Sequence, residues 1–190
     1  MNWRTSLIVS AVALLAGCST VAPRQEPGPV RSDPGLFLLA PAAAGFEASL
    51  THEVTFDRGT AHFEGMAIVE VSSADVVLAG LSPFGTRMLS LRWDGKRLSQ
   101  ERDASLPKQL PLEIILRDIQ LVFWPAAAIR SALPGMRWAL SDEGRDRVLL
   151  EVGRPVVRIR FSSDDRLHAD VEFEHLGLGY RLKIHPLQDD

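Results

Sequence analysis

The sequence predicts a mainly β (α+β) protein, built as a strongly curved antiparallel sheet of about ten strands with a central helical insertion. Two observations carry this prediction. Apolar and polar residues alternate along most of the chain from about residue 46, whereas the interval 111–124 places its apolar residues at spacings of three and four. No internal repeat of roughly 20 to 50 residues is visible, so a repeat architecture is not expected.

The first 17 residues have the pattern of a secretion signal. Arg4 supplies a positive charge, and an apolar run from Leu7 to Ala16 ends at Gly17 and Cys18. A run of about ten apolar residues is too short for a membrane-spanning helix, which needs roughly 20. Cys18 is the only cysteine, which excludes an intramolecular disulfide framework.

The segment Leu15-Ala16-Gly17-Cys18 resembles the lipobox of a bacterial lipoprotein signal. This resemblance implies cleavage before Cys18 and the attachment of acyl chains to it, which hold a protein on a membrane more firmly than one chain would. In Gram-negative lipoproteins an Asp after the cysteine favours the inner membrane. Ser19 therefore implies the outer membrane, with the protein facing the periplasm. The alternative is an ordinary signal peptide with a chance cysteine.

Composition divides the chain into three segments. Residues 1–17 are the signal, residues 18–45 hold the lipid anchor and a proline-rich flexible tether, and residues 46–187 form the folded domain. Cleavage leaves 190 − 17 = 173 residues, which suffice for one domain with a real core. We expect a monomer.

Alternation predicts the strands in order. An early strand carries Phe63 and Val69 on its apolar face, and a later one carries Leu89, Leu91 and Trp93. Asp94-Gly95 then predicts a hairpin turn. Further strands are expected over 136–140, 147–152, 156–161, 167–173 and 178–184. A strand with one wet and one dry face is typical of antiparallel sheets.

The helical insertion is predicted to begin at Pro111 and to end at Trp124, because Trp124 precedes a proline. Ile115, Ile119 and Phe123 share one face of this helix. A second short helix is expected over 126–133. Together the helices should cover at least part of the apolar face of the sheet.

A tight turn is predicted between two strands at Leu-Ser-Pro-Phe-Gly-Thr-Arg, residues 81–87. Pro83 presets one backbone angle and Gly85 tolerates positive ones, so both suit a turn. Phe84 lies between them at the tip. The ring either faces out or folds back onto the core.

These features together resemble the LolA/LolB family, and most closely LolB-like lipoproteins with a domain of unknown function. The likeness covers roughly residues 45–187 and rests on the lipobox, the Pro83-Phe84-Gly85 turn, the 111–124 helix and its Leu133-Pro134-Gly135 exit. It implies an incomplete β-barrel of ten to eleven strands with a helical lid over a cavity for acyl chains. In LolB a Pro-Leu-Gly turn touches the membrane, so Pro83, Phe84 and Gly85 are the expected membrane-contacting loop.

The function expected from this resemblance is to bind acyl chains of a lipid or lipoprotein and to help insert it at the outer membrane. The partner would be a LolA-like periplasmic carrier or a specialised lipid. The residues expected to line the cavity are Phe63, Val69, Leu89, Leu91, Trp93, Ile115, Ile119 and Phe123. The alternative is an accessory lipoprotein that binds a protein partner and has a solid core.

No catalytic motif, cofactor site or metal site is expected. The chain has no Gly-x-Ser-x-Gly, no phosphate-binding Gly-rich loop and no His-Glu-x-x-His. His168 and Asp170 share a strand face, but no third ligand accompanies them. A net charge of −3 argues against a broad surface that binds nucleic acid. The arginines after the turn either contact anionic lipid headgroups or lie on a solvated strand face paired with Glu101 and Asp103. These arginines are Arg87, Arg92, Arg97 and Arg102.

Overall fold

A computed structural model of the protein describes residues 38–104, 106 and 112–187. The strands are β1 Ala48–Arg58, β2 Ala61–Val71, β3 Val76–Leu81, β4 Arg87–Trp93, β5 Leu98–Arg102, β6 Trp138–Glu143, β7 Asp146–Glu151, β8 Arg154–Phe161, β9 Val171–His175 and β10 Tyr180–Leu187. The helices are α1 Leu112–Phe123 and α2 Ala126–Ala132, with short 3-10 turns at Pro41–Ala44 and Gly135–Arg137.

All ten strands belong to one antiparallel sheet, in the order β5-β4-β3-β2-β1-β10-β9-β8-β7-β6. Each half of the chain forms a meander, and the pairing of β1 with β10 joins the two halves. The edge strands β5 and β6 do not pair with each other, so the curved sheet is unclosed. The predicted fold class is confirmed: the protein is mainly β, with a helical part in the middle of the chain.

The two helices and one face of the sheet share a single apolar core. Alternation along the strands places every second side chain on this face, as Val69 and Val71 on β2 and Val157 and Ile159 on β8 illustrate. Leu116 of α1 and Ile129 of α2 pack into the same core. Burial of these side chains is what fixes the strand register, because a slip of one residue would expose them all.

Arg147 of β7 fixes the C-terminal end of α1 to the sheet. Its Nη1 donates to the carbonyl oxygens of Leu121, Val122 and Trp124, at 2.7, 3.2 and 2.9 Å. These carbonyls lie at a helix end and lack partners within the helix. The Nε of Arg147 lies 3.1 Å from Oδ1 of Asp142 on β6, so the buried guanidinium is neutralised as well as hydrogen-bonded.

The chain between Leu38 and Ala44 is also part of the folded domain. Gln120 of α1 accepts from the backbone N–H of Leu39 and donates to its carbonyl, both at 2.9 Å. Trp93 Nε1 donates to the same carbonyl at 2.8 Å, and Ala44 is buried. The folded region therefore begins before residue 46, where composition alone placed the boundary.

The register of the strands gives the sheet two ends with different turns. We call one the uncharged end; its hairpin turns are residues 59–60, 82–86, 152–153 and 176–179, none of which carries a charge. We call the other the charged end; its hairpin turns are residues 72–75, 94–97, 144–145 and 162–170. The second set includes Asp75, Asp94, Asp164, Asp165, Asp170, Lys96, Arg97, Arg145 and Arg166.

None of the helices in the described ranges is long and apolar enough to cross a membrane.

Candidate functional site

The turn at 82–86 is held by its own backbone and by one serine. Ser82 N–H donates to the Thr86 carbonyl at 2.8 Å, and Gly85 N–H donates to the Ser82 carbonyl at 2.9 Å. The hydroxyl of Ser82 accepts from the N–H groups of Phe84 and Thr86, at 3.3 and 3.2 Å. Ser, Pro and Gly occupy the first, second and fourth positions of this four-residue turn, where type I turns favour them.

Phe84 projects from this turn into solvent, with 94% of its surface exposed. Gly85 follows it with a φ of 78°, a left-handed conformation that a glycine adopts without strain. The alternative in which the ring folds back onto the core is not what the structure contains. The sequence placed Phe84, Pro83 and Gly85 in this loop, and the structure places the aromatic ring at its exposed tip.

At the end of β3 next to this turn, the backbone lies very close to β2. A Cβ at Gly65 would lie 2.3 Å from the Leu81 carbonyl oxygen, so only glycine fits there. The β3–β4 register shifts between Gly80 and Leu81. Phe63 lies two residues before Gly65, opposite Phe56 of β1, and is 37% exposed. The apolar face of the sheet thus reaches solvent near the uncharged end.

The structure gathers seven of the eight predicted cavity-lining residues into the core or against it. Val69, Leu91 and Phe123 are fully within the core, and the partly buried members of the set that pack against it are Leu89, Trp93, Ile115 and Ile119. Phe63 is the exception, because it lies on the apolar face of β2 but is 37% exposed. The indole N–H of Trp93 donates to the Leu39 carbonyl. Trp93 therefore holds the N-terminal segment in place as well as packing against the core.

Little space remains where the helices meet the N-terminal segment. A small void of about 10 Å³ lies between the helices and the N-terminal segment, lined by Leu39, Arg117, Gln120, Leu121, Ile129, Ala132 and Leu133. That volume corresponds to about one water molecule. An acyl chain would therefore have to displace α1, α2 or their side chains in order to enter here.

A buried polar cluster under α1 was not predicted from the sequence. It consists of Arg117 and Asp118 on α1, His175 at the end of β9 and Tyr180 at the start of β10. Arg117 Nη2 lies 3.2 Å from His175 Nε2 and 3.5 Å from Asp118 Oδ1. The Tyr180 hydroxyl donates to Oδ2 of Asp118. The helix and the sheet are thus joined by polar contacts as well as by apolar packing.

His175 is neutral in this cluster at neutral pH. Burial, and then the positive charge of Arg117, lowers the pKa of His175 to about 4. Burial also lowers the pKa of His52, which packs on the ring of Phe123 at 5.3 Å between ring centres. The contacts within the cluster are hydrogen bonds and one charge pair.

One weak signal of this cluster is present in the sequence of α1. A helix with one solvent-facing side should carry a polar stripe, yet α1 has only Glu113, Arg117, Asp118 and Gln120 as polar residues. All of these except Glu113 are buried, because α1 is covered by the sheet on one side and contacts the N-terminal segment on another. Amphipathic spacing alone could not distinguish that arrangement from a helix with a wet face.

The His168 and Asp170 pair has other partners. His168 Nδ1 lies 2.9 Å from Oδ2 of Asp165, and Asp170 pairs with His185. Across the ranges that the structure covers, no group of three or more His, Cys, Asp or Glu residues could hold a metal ion.

The four arginines after the turn do not form one patch. Arg87 and Arg102 lie at the uncharged end of the sheet, whereas Arg92 and Arg97 lie at or near the charged end. Arg92 pairs with Asp75 at 2.7 Å, and Arg87 lies 3.7 Å from Glu101. The Arg87 contact agrees with the interpretation of a solvated strand face, although Asp75 was not among the expected partners.

Cys18, the predicted lipidation site, lies outside the described residues.

Comparison with protein families finds one match, over residues 49–188, to the family described as "Protein of unknown function (DUF3261)". The chain belongs to this family. The match begins at the second residue of β1 and runs through β10, so it covers nearly all of the sheet and both helices. A search of curated proteins found no match.

Proposed function

We propose that the protein is a non-catalytic, lipid-handling lipoprotein of the outer membrane. Acyl chains on Cys18 anchor it, Phe84 contacts the bilayer, and acyl chains of a lipid or lipoprotein cargo bind between the helices and the sheet. The observation that carries this proposal is the exposed Phe84 on a turn closed by four hydrogen bonds. The resemblance to the LolA/LolB family, in which such a turn touches the membrane, supports it.

Phe84 gains free energy only where water is excluded from its ring. Full burial of a Phe side chain contributes about 1.5–3 kcal/mol, and the folded protein leaves almost all of this unused. The hydrogen bonds of Ser82 fix the turn in advance, so little conformational entropy is lost when the ring enters a bilayer. A protein held at the surface by an anchor would profit from even this modest affinity.

The entry route for cargo in this proposal is the uncharged end. Phe63 lies there on the apolar face of β2 with more than a third of its surface in solvent. Because the void under the helices holds only about 10 Å³, cargo uptake requires α1 and α2 to move outward. Incoming acyl chains would then replace the contacts of Ile115 and Ile119, which are only partly buried.

A second candidate function is favoured by the same small void. An accessory lipoprotein that binds a protein partner needs no cavity, and a filled core suits it. This candidate requires neither lipid uptake nor a contact between Phe84 and lipid. The two functions therefore predict different results in one transfer assay.

The assay measures transfer of a fluorescent acyl lipid from the full-length protein in donor vesicles to acceptor vesicles. We expect Phe84→Glu to slow transfer strongly, Phe84→Leu to retain most of it, and both variants to keep the circular dichroism of the parent. Leu187→Glu is the matched control, because Leu187 is also an exposed apolar residue but lies on β10 at the charged end. Equal rates for Phe84→Glu and the parent would refute the proposal, and absence of transfer by the parent would favour the accessory function.

A further inference from the structure

Exposed large apolar side chains collect at the uncharged end of the sheet. Phe84, Val152 and Leu176 lie in three of its hairpin turns, and Met136 lies in the 3-10 turn that leads into β6 at the same end. Val152 N–H donates to the Arg137 carbonyl at 2.7 Å, which brings the turn of Val152 beside that of Met136. In the described part of the chain, Leu187 is the only exposed large apolar side chain at the charged end.

Three of these turns border one open groove of about 520 Å³. The N–H of Leu176 donates to the Val156 carbonyl at 2.9 Å, and this hydrogen bond holds Leu176 beside the groove. The lining of the groove includes Arg137, Glu151, Val152, Arg154, Val156 and Leu176. Its walls are thus mainly apolar, with arginine side chains among them.

Val152 occupies a conformation that its side chain disfavours. Its φ is 49°, in the left-handed region, and the following Gly153 has a φ of 74°. Two-residue hairpin turns with both φ angles positive strongly favour Asn-Gly or Asp-Gly, and a β-branched residue there is an outlier. Val152 is 70% exposed, so core packing does not account for the strain. A strained residue at an exposed tip points to a function at that tip.

Each uncharged hairpin turn has an arginine within two residues. Arg58 precedes the first turn, and Arg87, Arg154 and Arg181 follow the other three. Arg87 and Arg181 have acidic partners in Glu101 and Glu174. Arg58 and Arg154 form no ion pair with any residue in the described ranges. Cations therefore surround the apolar tips while the turns themselves contain no acid.

We propose that the whole uncharged end, and not the Phe84 loop alone, is a docking surface for a bilayer that contains anionic phospholipid. The inference rests on the proposed function and extends it to a second contact formed by Met136, Val152 and Leu176. Apolar tips enter the lipid interface, and arginines beside them donate to phosphate oxygens. This occupant fits because both chemical components of an interfacial lipid surface, apolar and anionic, have counterparts at this end.

The anchor permits this orientation. Leu39 is fixed on Gln120 of α1 and on Trp93 near the charged end, away from the docking surface. Cys18 precedes Leu38 by 38 − 18 = 20 residues, and a chain of that length spans at most about 70 Å. The longest strands, of 11 residues, are only about 36 Å long. The tether can therefore pass the length of the sheet.

The test places a polarity-sensitive fluorophore at single introduced cysteines in the full-length, vesicle-reconstituted protein. Labels at Phe84→Cys, Met136→Cys, Val152→Cys and Leu176→Cys probe the uncharged end, and labels at Ser73→Cys, Lys96→Cys and Asp164→Cys are matched exposed positions at the charged end. Vesicles contain phosphatidylcholine with phosphatidylglycerol and a lipid that carries a doxyl quencher. The parent protein, labelled in the same way, gives the background from Cys18.

We expect quenching that is several-fold stronger at all four uncharged-end positions than at the three controls, and weaker when phosphatidylglycerol is omitted. Quenching at position 84 alone would overturn this inference and leave the proposed function intact. Absence of quenching at every position, 84 included, would overturn both. Equal quenching at the two ends would also contradict the inference, and unquenched labels at 136, 152 and 176 would assign that surface to a protein partner.

Discussion

Hairpin turns form both ends of the sheet, but the residues in these turns differ between the two ends. Each end has four hairpin connections between antiparallel neighbours. At the charged end, aspartates and basic residues occupy the turns, as is usual for solvated loops. At the uncharged end those positions hold glycine, small polar residues and exposed apolar side chains. Antiparallel hairpins form with either composition, so the fold does not require the difference.

The outermost residues of the two ends differ in how much they contribute to folding. At the charged end, Asp142 binds both Arg147 and Arg166, and Arg147 in turn holds α1. At the uncharged end, the apolar tips of Phe84 and Val152 contribute little to the core, and Val152 carries backbone strain. Natural proteins accept such local costs at functional sites. The asymmetry is therefore the structural argument for a membrane-facing end.

The largest effect is expected from Arg147→Met at the charged end. The substitution leaves Asp142 with Arg166 alone and removes the donors to three carbonyls of the α1 terminus. Breaking such a buried pair costs about 3–5 kcal/mol of unfolding free energy, which urea denaturation measures. Arg145→Met is the control, since the exposed Arg145–Asp164 pair contributes about 0–1 kcal/mol. Similar small losses in both variants would refute the structural role of the charged end.

His175 lies at the uncharged end and Asp142 at the charged end. The two groups should change the unfolding free energy over different pH ranges. The pKa of His175 is about 4 in the fold and 6.5 as its ordinary value, so the unfolded state binds more protons between these values. Unfolding free energy should therefore fall as pH drops from 6.5 towards 4. Burial would raise the pKa of Asp142, but Arg147 and then Arg166 hold it below its ordinary value of 3.8. The stability that ionised Asp142 contributes is therefore lost only as the pH falls below 3.8.

His175→Gln tests this assignment. The fall between pH 6.5 and 4 should become shallower in the variant, with a remainder from His52, whose pKa is also lowered by burial. Urea midpoints measured across this range give the slope directly. An unchanged slope would show that His175 is not the acid-sensitive group.

The smallest effect is expected from Val152→Asn at the uncharged end. Asparagine tolerates the left-handed conformation, so the substitution should raise stability by about 1 kcal/mol. For a domain of this size, that corresponds to a rise in melting temperature of about 2–4 °C. The same variant should bind anionic vesicles less well. A lower melting temperature, or unchanged vesicle binding, would mean that Val152 is not retained for docking.

Much of the fold followed from the sequence because its signals are local. Alternation and turn residues gave the strands, and the proline at 125 gave the end of α1 to within one residue. Phe84 was placed in its turn by Pro83 and Gly85 alone. Its exposure could not be predicted, because it depends on how the hydroxyl of Ser82 closes the turn.

The long-range features could not be read from the sequence. The pairing of β1 with β10 decides which turns share an end of the sheet, so the uncharged end is visible only after the register is known. The burial of Arg117, Asp118 and His175 could not be predicted, because it depends on elements far away in the chain. Whether the apolar residues line a cavity or fill a core depends on side-chain packing that periodicity does not report.

The most direct test of the central claim, that this protein handles lipid, is its lipid content. The chain without its proposed lipid anchor, residues 19–190, is exported to the periplasm, purified without detergent and extracted for mass spectrometry. Uptake of a fluorescent fatty acid is then measured. We expect acyl lipid in stoichiometric amount, or saturable uptake by the lipid-free protein. Repeated lipid-free preparations that take up no fatty acid would contradict it.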